Sequence, residues 1–361
     1  MRNMKKRMAI ALCALLMLMP IAHAEEGFHK EYGASLKVDI AEPLPEIPKI
    51  ERRYIAGTPI ASDEFIASRY GVKKVEDYDD EGETVRVYED DNTRILTRGK
   101  GTYYYDDKHL NPAVKSLFYY CIDARDYFVP DGDWLVNDDE LDFMSAEEAC
   151  ALVENDFKGL FPETFDSFEI KLTAHPVHPE DMKSKVTAIL KSECKTQEDL
   201  DFHKRKHGLY EGCIAEDESY YFVEGMWYFD GIPMFKGNED VRNNYPVDGP
   251  RLWAIVSKDG LAYMDANSLL YTVEDEAREQ PIVCDSEDTL SRVGRFFDRI
   301  PGDMPLYEIA KVELVYMQFP LEDGRYEMTP ILMLSEYDEM DNGYEPIMKI
   351  NITEYVYEII F

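Results

Sequence analysis

His175, His178, Cys194, His203, His207 and Cys213 lie in one stretch of a 361-residue chain, and imidazole and thiolate are the usual ligands of zinc. His203 and His207 stand four apart, so on a helix they share a face. Two features oppose a metal there. Lys204, Arg205 and Lys206 place three cations beside any dication, and no Glu follows His203 as an HExxH enzyme requires. Residues 175–218, rich in Lys, Glu, Asp and His, are therefore expected to form a solvated polar insert with no metal. Ser192-Glu-Cys-Lys195 has S-x-x-K spacing, but no K-T-G box follows it and no G-x-S-x-G elbow occurs. The thiols are expected to be inert. Asp77-Tyr-Asp79-Asp80-Glu81-Gly82 opens like a calcium loop, yet its twelfth position is Tyr88 rather than Glu, and it reads as an acidic loop. With 73 carboxylates and no pattern that selects two of them, a glycosidase pair has no support. Nothing of Walker or Rossmann type appears. The expectation is thus no catalytic, cofactor-binding or metal-binding residue, and a protein that is not an enzyme.

The aromatic clusters at 103–105, 118–120, 220–222 and 227–229 have two readings. Consecutive residues of a strand face opposite ways, so each cluster divides its rings between a core and a helix-covered or exposed face. Packing is the first reading, and stacking of exposed rings on sugars is the second.

Charge excludes partners. Against 39 Lys and Arg stand 73 Asp and Glu, a formal net charge of −34, so binding to nucleic acid through its phosphates is ruled out. Residues 1–24 read as a signal peptide: Arg2, Lys5, Lys6 and Arg7 precede the apolar run Met8 to Pro20, and Ala22-His23-Ala24 fits the cleavage pattern. Pro20 and His23 cut the run too short for a membrane anchor. Cleavage removes four basic and no acidic side chains and takes the charge to −38. No later stretch is apolar enough to span a bilayer, and the expected location is extracellular or the cell envelope. Five cysteines remain after cleavage, and Cys194 with Cys213 is the preferred disulfide, buried free thiols being the alternative.

The elements expected to position these residues are short strands and isolated helices. Residues 25–60, with Pro43, Pro45 and Pro48, read as an acidic tether. Strands follow near 85–88, 93–97, 102–105 and 168–174, with a capping box at Ser145 and Glu148 opening a helix to Leu160. Later come an aromatic strand at 220–229, a turn at Asp230-Gly231, strands near 252–256 and 261–264, and a helix from Asp285 or Ser286 to about Arg299. Strands at 306–319, 326–335, 346–352 and 355–361 close the chain. The class is α+β, with an N-terminal module over 61–215 and a C-terminal module over 216–361. Each is a mostly antiparallel sheet with a helix on one face. The two read as a duplication, because Gly101-Thr-Tyr-Tyr-Tyr-Asp106 resembles Gly260-Leu-Ala-Tyr-Met-Asp265 and a Ser-started helix then a strand follow each.

Residues 216–361 resemble the extracellular YycH/YycI-type regulators and related PepSY-like modules of Gram-positive bacteria. The resemblance lies in Tyr228-Phe229-Asp230-Gly231-Ile232-Pro233, the Lys258-Asp259-Gly260 hairpin, the helix after it and the strand bearing Pro330. It implies α+β modules outside the membrane that act on a membrane protein and carry no catalytic residues. The chain departs from those regulators at its N-terminus, which reads as cleaved rather than as their transmembrane helix. The functional expectation is a non-catalytic regulatory or sensor-accessory protein that binds a protein partner. A carbohydrate- or cell-wall-binding module is the second reading and an unrecognised hydrolase the third.

Overall fold

The protein is described here by a computed structural model covering residues 27–47, 51–57, 62–80, 83–99, 102–127, 139–235, 249–267, 271–279, 285–300, 305–321, 323, 325–338, 343–352 and 357–358. The expected signal peptide and the side chains of Cys121 and Cys284 lie outside the described residues.

Three times the chain lays down a helix and then a four-stranded antiparallel meander. In the first unit α1 (Asp63–Tyr70) precedes β4 (Lys73–Asp80), β5 (Glu83–Glu89), β6 (Thr93–Arg98) and β7 (Thr102–Asp107). The helix α2 (Pro112–Tyr127) links it to the second unit. There α3 (Ala146–Leu160) and α4 (Pro162–Ser167) precede β8 (Glu169–Val177), β9 (Tyr220–Phe229), β11 (Arg251–Ser257) and β12 (Gly260–Asn267). Helices α5 (Pro179–Glu193) and α6 (Gln197–His207) are inserted between β8 and β9, and β10 (Ile232–Pro233) folds back on β9. In the third unit α7 (Ser286–Phe297) precedes β14 (Tyr307–Pro320), β15 (Tyr326–Asp338), β16 (Gly343–Asn351) and β17 (Tyr357–Glu358).

Local chemistry explains the boundaries. Ser145 Oγ accepts from Glu148 N while the Glu148 carboxylate accepts from Ser145 N, the capping box expected for α3. Asp285 caps α7 by accepting from Asp288 N. Asp230 and Gly231 both hold positive φ (49° and 78°), the two-residue turn whose twist suits a hairpin, and join β9 to β10.

The first and second units share one nine-stranded sheet, because β7 pairs antiparallel with β12, Tyr104 opposite Asp265 and Tyr105 opposite Met264. Tyr105 and Met264 are equivalent positions of the two sequence segments that resemble each other. The seam therefore pairs each of the two similar strands with the other. The third unit forms an eight-stranded sheet with β1 (Phe28–Tyr32), β2 (Leu36–Ile40), β3 (Glu51–Gly57) and β13 (Tyr271–Glu279). Here β2 runs parallel to β14, and β3 pairs with both β13 and the start of β15. The larger core lies between the sheets and is closed by α3 and α7, with Trp227, Phe157, Tyr103, Leu36, Ile55 and Tyr316 fully buried. On the opposite face of the nine-stranded sheet, α2 and α5 bury Phe118, Val186 and Ile189 against Phe222, Trp253 and Tyr263.

The α+β class and two mostly antiparallel sheets stand as expected. Other expectations are corrected. A boundary at residue 216 falls between β8 and β9, which pair along their whole length from Glu169–Tyr228 to Val177–Tyr220. The apparent duplication compared the end of one unit and the start of the next, a pattern that two or three units produce alike. Phe28–Tyr32, Leu36–Ile40 and Glu51–Gly57 of the tether are strands, and in the second Leu36, Val38 and Ile40 alternate into the core. The polar insert is a helical layer, since Val177, Met182, Val186, Ile189, Leu209 and Ile214 are buried in it.

Two glycines separate packing from propensity. A Cβ on Gly294, inside α7, falls 2.5 Å from Tyr32 O, so α7 lies against the backbone of β1 only because position 294 has no side chain. A Cβ on Gly159, in α3, meets at 3.0 Å the far ring end of Phe65, an exposed side chain. Gly294→Ala is expected to lower the free energy of unfolding by about 2 kcal/mol or more despite the better helix former. Gly159→Ala is expected to change it by under about 1 kcal/mol, and urea titration of both variants measures the contrast.

Candidate acidic cleft

Seaming β7 to β12 sets the end of β7 beside the β11–β12 turn, and two adjoining clefts open there, of about 240 and 340 Å³. Asp217, Ser219 and Lys258 line both. The smaller adds Asp107, His109, Glu218 and Asp259, and the larger adds Glu140, Asp142, Phe143 and His178. Six carboxylates thus face the space alongside one lysine and two histidines.

Each wall is held by short-range bonding. After β7 the chain turns, with Asp107 Oδ1 accepting from His109 N (2.8 Å), and His109 Nε2 lies 3.0 Å from Asn92 Oδ1 in the β5–β6 turn. At the β11–β12 turn Ser257 Oγ accepts from Asp259 N (3.1 Å) and donates to Gly260 O (3.1 Å), which aims Lys258 and Asp259 outward. Glu218 closes the loop before β9: its carboxylate accepts from Asn111 Nδ2 (3.0 and 3.1 Å) and Ala215 N (2.7 Å). Asn111 Nδ2 also donates to Cys213 O (2.8 Å), tying this loop to the start of α2. Burial, with Glu218 and Asp217 nearby, holds the Tyr220 phenol above its ordinary pKa, so it stays a neutral donor. In the larger cleft Tyr221 Oη accepts from Leu141 N (2.9 Å) and donates to Met144 O (2.8 Å), which fixes the segment bearing Glu140 and Asp142.

The residues singled out by type and spacing are dispersed. His175 Nε2 lies 3.1 Å from Glu224 Oε1 across β8 and β9, and His178 starts α5 with its Nε2 3.3 Å from Asp139 O. His203 and His207 do share a helix face, ring centroids 5.4 Å apart, but His203 is buried with Nε2 3.3 Å from Glu193. Burial, with His203 and Lys206 beside it, lowers the pKa of His207. Among the described residues no group of three or more His, Cys, Asp or Glu is placed to hold a metal. Cys194 and Cys213 are free thiols, a correction to the preferred disulfide: Cys194 ends α5, whereas Cys213 packs against the core beneath α2. Desolvation raises the pKa of both, and of Cys150. Ser192 Oγ donates to Ile189 O, and Lys195 Nζ to Lys191 O, so that pair serves the end of its helix. Asp77 to Asp80 lie in strand β4 rather than a loop. Tyr103, Phe118, Tyr221, Phe222 and Trp227 are buried, so in each of these clusters at least one ring packs in a core, as the first reading of them expects. The cleft itself went unread because its walls come from five separate segments. The one local signal was the Ser257-Lys-Asp-Gly260 turn.

No family model and no curated protein matches the chain. Among solved structures it is similar to an uncharacterized protein from Eubacterium rectale, with 13% identity, a TM-score of 0.53, and coverage of 94% of this chain and 95% of that one. That likeness supports the two-sheet fold. Among the described residues no helix is long and apolar enough to cross a membrane.

Glu218 and Asp217, neighbours on one wall, differ in what they hold. Glu218→Ala is expected to cost about 1–3 kcal/mol of stability and to speed amide exchange over 213–219. Asp217→Ala is expected to change stability by under about 0.5 kcal/mol. Denaturant titration and hydrogen exchange check both.

Proposed function

We propose that the chain is a non-catalytic binding protein of the cell exterior that takes a cationic segment of a protein partner into the acidic double cleft. One observation carries this: Asp107, Glu140, Asp142, Asp217, Glu218 and Asp259 converge on a concave surface with Lys258 as its one lysine. A concavity lined by one sign of charge focuses its field and raises the local concentration of opposite charge. The volumes suit lysine or arginine side chains rather than a whole domain. The signal-peptide reading of residues 1–24 supports the location, and the resemblance to extracellular regulators supports a membrane protein as the partner.

Calorimetric titration with a Lys/Arg-rich peptide tests the proposal, with a matched control for bulk charge. Asp217→Lys/Asp259→Lys is expected to weaken binding at least about tenfold, which is about 1.4 kcal/mol. Glu308→Lys/Glu313→Lys, on the other sheet, is expected to leave it unchanged. Equal losses from the two pairs would reduce the effect to net charge, and retention on cell-wall glycan without peptide binding would favour the carbohydrate reading.

A further inference from the structure

The nine-stranded sheet ends in β4, and among the described residues β4 pairs with β5 alone. Its side chains are exposed on both faces nearly throughout, Val75 at 59% and Tyr78 at 42%. At the opposite end of the sheet β8 carries Pro176, which has no amide hydrogen to offer a further strand. The β4 edge has no such block. A row of unpaired backbone groups is a template for another strand, and its side chains decide which one.

Lys73-Lys-Val-Glu-Asp-Tyr-Asp-Asp80 is complementary to itself when reversed. In an antiparallel pairing of two copies centred between Glu76 and Asp77, Lys73 meets Asp80, Lys74 meets Asp79, and Val75 meets Tyr78, each twice. Four opposite-charge pairs and two apolar pairs then flank one acidic centre. Within its own strand Lys74 Nζ lies 3.2 Å from Asp77 Oδ2, which offsets part of that central repulsion. A slip of two residues removes Lys73–Asp80 and Lys74–Asp79 together and, in one direction, leaves Lys74–Asp77, made twice, as its opposite-charge pairs.

We infer that β4 is a homodimerisation edge, joining two copies of this chain about a two-fold axis into one continuous sheet. An isologous contact of this kind needs only one self-complementary patch. The net charge opposes it, but screening confines that repulsion to about 8 Å at physiological salt, and the contact is made at the sheet's outermost strand. Val75 is the extra residue of a bulge between Lys74 and Glu76, a feature that disrupts pairing locally. It keeps the association weak and reversible, with the long lysine side chains reaching past it.

Sedimentation of the full mature chain at physiological salt, from micromolar to millimolar concentration, tests this. The unaltered chain is expected to form a dimer at the upper end. Lys73→Glu/Lys74→Glu and Asp79→Lys/Asp80→Lys are each expected to weaken it at least about tenfold, with circular dichroism unchanged because the own-chain pairs Lys74–Asp63 (2.8 Å) and Asp80–Arg98 (3.4 Å) lie at the surface. An equimolar mixture of the two variants is expected to regain the dimer, since every reversed end then faces its complement. A monomer throughout, or a dimer that the mixture fails to restore, overturns the inference.

Discussion

Tyr103 to Asp106 pair with Tyr263 to Ala266, and both faces of that seam are occupied by unlike layers. Tyr103, Met264 and Ala266 enter the core under α3, while Tyr104 and Tyr263 enter the layer under α2, where Tyr119 Oη bonds Tyr263 Oη and Lys115 Nζ lies 4.6 Å above the Tyr263 ring. A slip of one residue would exchange the faces and send each set into the wrong layer. Register here is therefore fixed from two sides. The same pairing brings the end of β7 next to the β11–β12 turn, and without it the smaller cleft loses the wall that carries Asp107, His109 and Leu110.

The large negative charge divides between structure and surface. Two carboxylates stand in the first turn of each of α1, α3, α5, α6 and α7: Asp63 and Glu64, Glu147 and Glu148, Glu180 and Asp181, Glu198 and Asp199, Glu287 and Asp288. There they meet the positive end of the helix dipole and its unpaired amides. Lys74 and Tyr88 hold the Asp63 carboxyl below the usual carboxylate range. Part of the acidity is thus used in folding. The cleft carboxylates differ in sitting at a strand end and on turns and loops, where Asp107, Glu140 and Glu218 accept backbone amides and Asp142, Asp217 and Asp259 line the opening.

What was legible in the sequence was what is encoded locally. Ser145 with Glu148, Asp285 before α7, and the Asp230-Gly231 turn each satisfy their own backbone and were readable as caps and turns. Strands β1 and β2 were hidden because prolines and acids nearby outweigh a short alternation, Leu36-x-Val38-x-Ile40, that was present to be seen. Helices α5 and α6 were hidden by their charge, although Met182, Val186 and Ile189 already mark one helical stripe. The seam and the cleft depend on contacts between positions some 160 residues apart, for which spacing offers no signal. The one trace was the likeness of the two seam strands, read as duplication and not as adjacency.

Native-state hydrogen exchange at the seam tests the account most directly. If β7 and β12 join the first two units into one cooperative sheet, the bonded amides of Tyr103–Asp106 and Tyr263–Ala266 exchange only by global unfolding, with equal free energies on the two strands. Exchange of the β7 amides through a local opening well below that of β12 would contradict it, separating the units and leaving the cleft without a fixed wall.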